Sequence, residues 1–388
     1  MTPPPAAPVN IKYYIPKIQI RAFFTTRRTR IMKNKIRFGL FGCNMYRTRD
    51  LMDAAKAAAG AAVEVAACFD IDPAKARHAA EKYGGRAFAA EEEFLACPEV
   101  DVVLISLPPY LHADAFARTA RAGKDVYLEK PVCVNQAGRE KILAAHRQWP
   151  VRCYVGLSYR YVTPYRKVAE ILRRPDAGRI LGVHHHWLAP GRAPVDPSQY
   201  GWRQRPEQSG GELLQHCCHV FDWFWWLGGP MDSVTAAAYT PPGAPLPHEE
   251  REITAAFLYK NGGMAVFTLS QNSHQYVQRG TVHAEGLGIQ YQWGRDTFVR
   301  VYKNRARAAE ETYEWSLSDE PGDGGEIDRN TAQMKDFIDA WLAGRAMPVG
   351  VEDGIRAYDC TCAIRESHRS GRRVDVSGAG GGAFNPGA

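Results

Sequence analysis

A lysine that leaves a short apolar run and is followed at once by proline is a candidate for chemistry, and Glu129-Lys130-Pro131 has that form. The run Asp125–Leu128 would deliver Lys130 at the carboxyl end of a strand, the edge where open α/β sheets gather ligands. A cation there lowers the pKa of a bound hydroxyl and steadies alkoxide character as a hydride departs. The plainer alternative is a surface lysine before a turn. A second candidate set is Gln215, His219 and Asp222, which fall at i, i+4 and i+7 of an apolar helix expected over Glu212–Leu227 and so share one face. His219, with a reference pKa of about 6.5, suits a base near neutral pH, and Asp222 one turn on is placed to fix its tautomer. A buried core histidine is the alternative.

The first apolar run, Ile36–Phe41, leads into Gly42-Cys43-Asn44-Met45-Tyr46-Arg47, where a dinucleotide fold turns its backbone under a pyrophosphate. The usual G-x-G-x-x-G would put glycine at 44 and 47, and only Gly42 keeps its place. Asn44 tolerates a left-handed backbone better than most residues. Arg47 replaces the glycine that lets helix and strand approach closely, and offers a guanidinium to a phosphate instead. Taken alone, the loop fits a plain strand-to-helix turn as well as a nucleotide site. Asp70 ends the second strand, 28 residues after Gly42, where a carboxylate accepts hydrogen bonds from both ribose hydroxyls of an adenosine. A 2′-phosphate would be repelled there, so NAD is expected rather than NADP, with a solvated turn carboxylate as the alternative.

The elements that must position these residues are legible as patterns. From Ile36 to about Pro150, short apolar strands (Ile36–Phe41, Val63–Phe69, Val100–Ser106, Asp125–Leu128) alternate with helical segments, the signature of parallel βαβ units. Beyond Cys153 come a helix near Val162–Leu172, a strand at Ile180–Trp187 and a Pro/Gly-rich loop over Pro190–Gly210. Strand-like runs then follow from Ser233 to Tyr302, and two helices close the chain at about Asn330–Ala343 and Val351–Ser370. The expected class is α/β: a doubly wound Rossmann sheet over 34–152, then an α+β domain with a large, mostly antiparallel sheet over 153–376. Residues 1–33 read as a basic extension and 377–388 as a Gly-rich disordered tail.

Strand–P-x-x-x-H at Ser106-Leu107-Pro108-Pro109-Tyr110-Leu111-His112, then strand–Glu-Lys-Pro about 20 residues on, resembles the glucose–fructose oxidoreductase, inositol dehydrogenase and MocA-like family. The resemblance continues through Gly210-Gly211, His219 and Asp222 to the helix start Glu352-Asp353-Gly354, and so covers Ile36 to Val376. It implies a nicotinamide cofactor held by Gly42, Asn44, Met45, Asp70, Ser106, Pro108, His112, Glu129 and Lys130. It also implies catalysis by Lys130 and His219, with Gln215, His216, Trp202, Arg203 and Tyr159 facing the substrate, and no metal. Many members carry Asp four residues before the His; Gln215 stands there, and an amide takes up no proton. His184 and His186 share one strand face, and a metal site with His219 is the minority reading of that cluster. The run Trp223–Trp226 circles its helix and is expected in the core.

Composition excludes several classes. Of the formal charge of +7, Lys12, Lys17, Arg21, Arg27, Arg28 and Arg30 in the acid-free first 31 residues supply six, leaving about +1 for the body. That is too little for a surface that tracks nucleic-acid phosphates. No stretch approaches the ~18 apolar residues of a membrane span. Met32 directly before Lys33-Asn34-Lys35 and the first strand suggests an upstream start codon chosen in error. Nine cysteines, without paired CxxC spacing, are expected as reduced thiols in a cytoplasmic protein. The leading expectation is an NAD-dependent dehydrogenase or reductase of a sugar, inositol or related polyol, assembled as a homodimer or homotetramer. Glycoside cleavage through a transient oxidation with retained NAD, and a non-catalytic nucleotide sensor, are the alternatives.

Overall fold

The computed structural model describes residues 34–43, 46–191, 201–242, 244, 250–304, 306–316 and 326–376. The expected N-terminal extension, the Gly-rich tail, Asn44 and Met45 lie outside them.

Among the described residues, β1 (Ile36–Phe41), β2 (Val63–Phe69), β3 (Arg86–Phe88), β4 (Val102–Ile105), β5 (Asp125–Leu128) and β6 (Cys153–Val155) form a parallel sheet in the order β3-β2-β1-β4-β5-β6. Its central strands β4 and β5 are buried along their whole length, and β4 is apolar throughout, because helices cover both faces. These are α1 (Tyr46–Ala59), α2 (Pro73–Tyr83), α3 (Glu91–Ala96), α4 (His112–Arg121) and α5 (Gln136–Gln148). α2 begins as its sequence suggests, with the Asp72 carboxylate accepting from the Ala74 N–H and Pro73 in the first turn. The three-residue strands β3 and β6 are too short to carry a periodicity, and β6 extends this sheet past the boundary expected at 152.

The second sheet has the order β14-β13-β12-β11-β7-β10-β9-β8-β15. Its long central strands are β7 (Ile180–Pro190), β8 (Met231–Tyr239), β9 (Glu252–Tyr259), β10 (Met264–Ser270) and β11 (Asn272–Ala284). The outer ones are β12 (Gly288–Trp293), β13 (Asp296–Tyr302), β14 (Glu311–Ser316) and β15 (Val374–Asp375). All pairings are antiparallel except β7 with β10. Residues alternate between a core face and an outer face, as β10 shows, with Ala265, Phe267 and Leu269 buried and the residues between them half-buried. α6 (Thr163–Leu172), α7 (Pro206–Ser209), α8 (Gly211–Gln215) and α9 (Cys218–Gly228) precede or follow β7. Trp223 and Phe224 sink into this core, as expected of the aromatic run.

The last two helices, α10 (Glu326–Leu342) and α11 (Val351–Ser370), return to the first sheet. Phe337 of α10 packs on Tyr127 and Tyr154 with ring centroids 5.3 and 5.4 Å away. α11 comes so near the turn after β5 that a Cβ on Gly354 would collide with Val132 Cγ1. Two sheets thus share helices, and the carboxyl end of β5 is held from both sides.

Candidate active site

The helix expected over Glu212–Leu227 is two helices, and this break shapes the site. α8 stops at Gln215, α9 starts at Cys218, and the His219 N–H bonds the His216 carbonyl instead of that of Gln215. The Gln215 carbonyl is therefore available, and it accepts a hydrogen bond from Lys130 Nζ at 2.7 Å. Lys130 follows the end of β5 by two residues and is joined to Pro131 by a cis peptide bond. Burial, ahead of its neighbours' charges, holds its pKa below the ordinary lysine range. Because the anchor is main chain, Gln in place of Asp at 215 leaves this contact untouched.

His112 is fully buried, with Nδ1 2.7 Å from the Pro131 carbonyl oxygen and Nε2 2.8 Å from that of Leu107. Both ring nitrogens are engaged by the loops after β4 and β5, so His112 ties those loops together and presents no ring nitrogen to a cofactor. Burial lowers its pKa although two carbonyl acceptors favour the cation. Glu129 is buried and accepts from Arg47 Nε at 3.1 Å, while Arg47 Nη1 donates to Asn330 Oδ1 at 3.0 Å. Arg47 therefore bridges α1 to the β5 turn and α10.

His219 is also held otherwise than the helical spacing implies. The Ser158 N–H donates to His219 Nδ1 at 3.2 Å, and the Tyr159 ring stacks on the imidazole, centroids 4.9 Å apart and planes 9° from parallel. Asp222, expected to fix the tautomer, instead pairs with Arg160, whose Nε donates to Oδ2 at 2.9 Å. Arg160 also reaches Asp353 at 2.7 Å. Burial, then the charges of Lys130 and Arg329, push the His219 pKa well below the ordinary value, so the ring is neutral near pH 7.

The cofactor loop retains the features that a dinucleotide needs among the residues described. Gly42 has φ 93°, and a Cβ there would strike the Ser106 carbonyl oxygen, so only glycine lets the β1 and β4 ends close together. Asp70 accepts from the Cys43 N–H at 2.8 Å and the Asp72 N–H at 3.0 Å, one on each oxygen. Each oxygen keeps a further lone pair for a ribose hydroxyl. The turn after β4, with Ser106 buried and Pro108 leading a short 3-10 turn, forms the next wall. These residues fit NAD and would hold it; when bound, the cofactor would supply the hydride acceptor or donor.

Lys130, His219, Gln215, His216, Tyr159 and Ser106 line one cavity of about 220 Å³, together with Trp202 and Arg203. His216 is paired with Glu212 at 2.9 Å, and Arg203 donates to the Tyr46 hydroxyl at 3.2 Å, linking the second domain to the start of α1. Sequence reading missed Trp187, Tyr276, Trp293 and Arg329, which complete the wall. Trp293 ends β12, Tyr276 lies in the register shift of β11 and Arg329 stands in the first turn of α10, where spacing gives no signal, while Trp187 lies inside β7 on its core face and reads as an ordinary core residue. Arg329 is buried and stands over the Trp293 ring at 5.8 Å. The minority metal reading is not met: His184 stands against His283, and His186 Nδ1 lies 2.6 Å from Thr268 Oγ1, away from His219. Among the described residues no group of three or more metal-ligating side chains converges. All nine cysteines are free thiols, and no helix described is long and apolar enough to cross a membrane.

Two family models match, described as an oxidoreductase family NAD-binding Rossmann fold over residues 36–157 and its C-terminal alpha/beta domain over 170–376. An uncharacterized oxidoreductase of Synechocystis sp. is 34% identical over 146 residues, 37% of this chain and only 39% of that protein's length. A dTDP-3,4-didehydro-2,6-dideoxy-alpha-D-glucose 3-reductase of Actinomadura kijaniata is 26% identical over 349 residues, covering 87% of this chain and 96% of the reductase. The solved structure of a levoglucosan dehydrogenase in complex with NADH superimposes with a TM-score of 0.74 at 22% identity, over 88% of this chain and 99% of that one. With both domains matched in order, the chain belongs to the NAD-binding oxidoreductase family of glucose–fructose oxidoreductase, inositol dehydrogenase and MocA-like proteins.

Proposed function

We propose that this oxidoreductase moves hydride between the nicotinamide and a CH–OH carbon of a sugar, inositol or related polyol. The observation that carries the reading is the convergence of Lys130 and His219 on one cavity walled by Tyr159, Trp187, Trp202, Tyr276 and Trp293. Aromatic faces suit the C–H faces of a pyranose or cyclitol ring, and the polar groups fix which hydroxyl meets Lys130. Lys130, anchored on the Gln215 carbonyl, keeps its remaining N–H bonds or its lone pair for the reacting oxygen. Burial makes the neutral amine accessible, so the same nitrogen serves as proton acceptor in oxidation and donor in reduction. The names of the Actinomadura reductase and the levoglucosan dehydrogenase support a sugar-like substrate.

The test is a panel of aldoses, anhydrosugars and inositols with NAD, followed at the absorbance of NADH. Lys130→Met, which keeps bulk and loses the proton carrier, is expected to lower kcat by 10³-fold or more while NADH still binds. Turnover unchanged in that variant sinks the assignment.

A further inference from the structure

The tripeptide Ser158-Tyr159-Arg160 controls His219 at three points. Ser158 occupies Nδ1 with a main-chain N–H, Tyr159 fixes the ring plane, and Arg160 draws Asp222 into a buried ion pair. A nitrogen that accepts a hydrogen bond does not carry the proton, so the neutral ring bears its proton on Nε2. No residue described bonds Nε2, and His219 lines the cavity, so this N–H is the group that a ligand meets.

We propose that His219 acts on the reacting oxygen as a hydrogen-bond donor through Nε2 and takes no proton from it, which leaves Lys130 as the proton carrier. The proposal rests on the dehydrogenase reading above. In oxidation, the substrate carbon loses hydride to the nicotinamide as its C=O forms, and the hydroxyl proton passes to the neutral Lys130 Nζ to give an ammonium. His219 ends the step with the same proton it began with. For His219 to act as base, the ring would have to move its proton to Nδ1 and lose the Ser158 bond. Withdrawal of Asp222 removes the acceptor that would stabilise that Nδ1–H form, and Gln215 supplies no carboxylate in its place. The charged groups acting on the ring are Lys130, Arg329 and Arg47, with His216 adding to them, and all oppose an imidazolium.

The first test reads the tautomer directly: ¹⁵N NMR of imidazole-labelled full-length protein with NAD bound. An Nε2–H tautomer for His219 at pH 7 is expected, and an Nδ1–H or doubly protonated ring overturns the proposal. The second uses His219→Gln, which retains an N–H donor but has no basic site. It is expected to lower kcat/KM for the best substrate by about tenfold with the pH profile unmoved, whereas His219→Phe loses about 10²-fold or more. A loss of 10³-fold or more in the Gln variant, with a limb of the profile removed, overturns the proposal. If the wild type oxidises no polyol, the reading of function fails, while the NMR result still decides the tautomer.

Discussion

A lysine in water is a poor base near neutral pH, and what changes Lys130 is its burial beside the Gln215 carbonyl. The sign follows from desolvation: the ammonium is penalised, so the neutral amine is reached at lower pH than in a free lysine. The rate of oxidation, kcat/KM against pH, is therefore expected to rise through a limb below the ordinary lysine range. Gln215→Asp would put a carboxylate on the same cavity and favour the ammonium again, moving that limb up by about one pH unit. A limb that stays in place would show that Lys130 is not the titrating base. Arg160 is tested through stability. Burial lifts the Asp222 carboxyl to about 6 even against the pull of Arg160, so Arg160→Met leaves that group buried without its main partner. The expected loss is about 3–5 kcal/mol at pH 7 by denaturant titration. The folded-state pKa of Asp222 is then raised further, so the folded variant holds a proton that the unfolded chain releases. The deficit should shrink as pH falls toward 5.

Elements decide what those residues can reach, and here the sequence was readable in some places and silent in others. The parallel strands, the Asp70 turn and the Glu-Lys-Pro turn announce themselves, because buried parallel strands are continuously apolar and end in ligand-bearing turns. The break between α8 and α9 does not. Glu212, Gln215, His216, His219 and Asp222 keep one polar stripe at helical spacing straight through His216-Cys217, so the pattern gives no sign of the break. The pairing of His219 with Asp222 looked natural from helical spacing alone. The competitor, Arg160, stands 62 residues earlier, and no local pattern reports it. Two glycines make the element scale testable. Gly42→Ala adds a Cβ at φ 93° against the Ser106 carbonyl, and is expected to weaken NADH binding by tenfold or more in a tryptophan-quenching titration. Gly354→Ala pushes α11 against Val132, next to the turn that carries Lys130. It should cost about 1–3 kcal/mol and lower kcat more than it changes the Kd for NADH. Equal effects on both would place the strain elsewhere.

At the scale of the molecule, the question is whether two sheets behave as two domains. The described residues of both sheets, within 34–376, form one compact unit, and the reasons are visible in its cores. Leu214 and Cys218, on the helices that feed the second sheet, are buried with the first sheet's strands, as are Met334, Phe337 and Ile338 of α10. Polar contacts cross as well: Arg139 Nε donates to Asp359 Oδ1 at 2.6 Å, and the Tyr161 hydroxyl donates to Asp336 Oδ2 at 2.6 Å. Separating the sheets would expose the apolar surfaces of α10 and α11 and strand these polar partners, which favours unfolding of the two together. Differential scanning calorimetry is therefore expected to show a single unfolding transition despite the bipartite architecture. Gly42 and Asp70, expected to hold the cofactor, follow strands of the first sheet, whereas the cavity wall takes Tyr159 from the turn after β6, Trp293 from the second sheet and Arg329 from α10. In a two-step molecule, NADH would raise only the transition of the first sheet. In a cooperative one, NADH at a hundred times its Kd adds about 2.7 kcal/mol to the whole and moves the one transition intact. NADPH, repelled by Asp70, should move it far less at the same concentration. Two peaks, of which only one responds to NADH, would show that the shared helices do not couple the sheets, and that closure of the cavity is a docking equilibrium rather than a property of the folded chain.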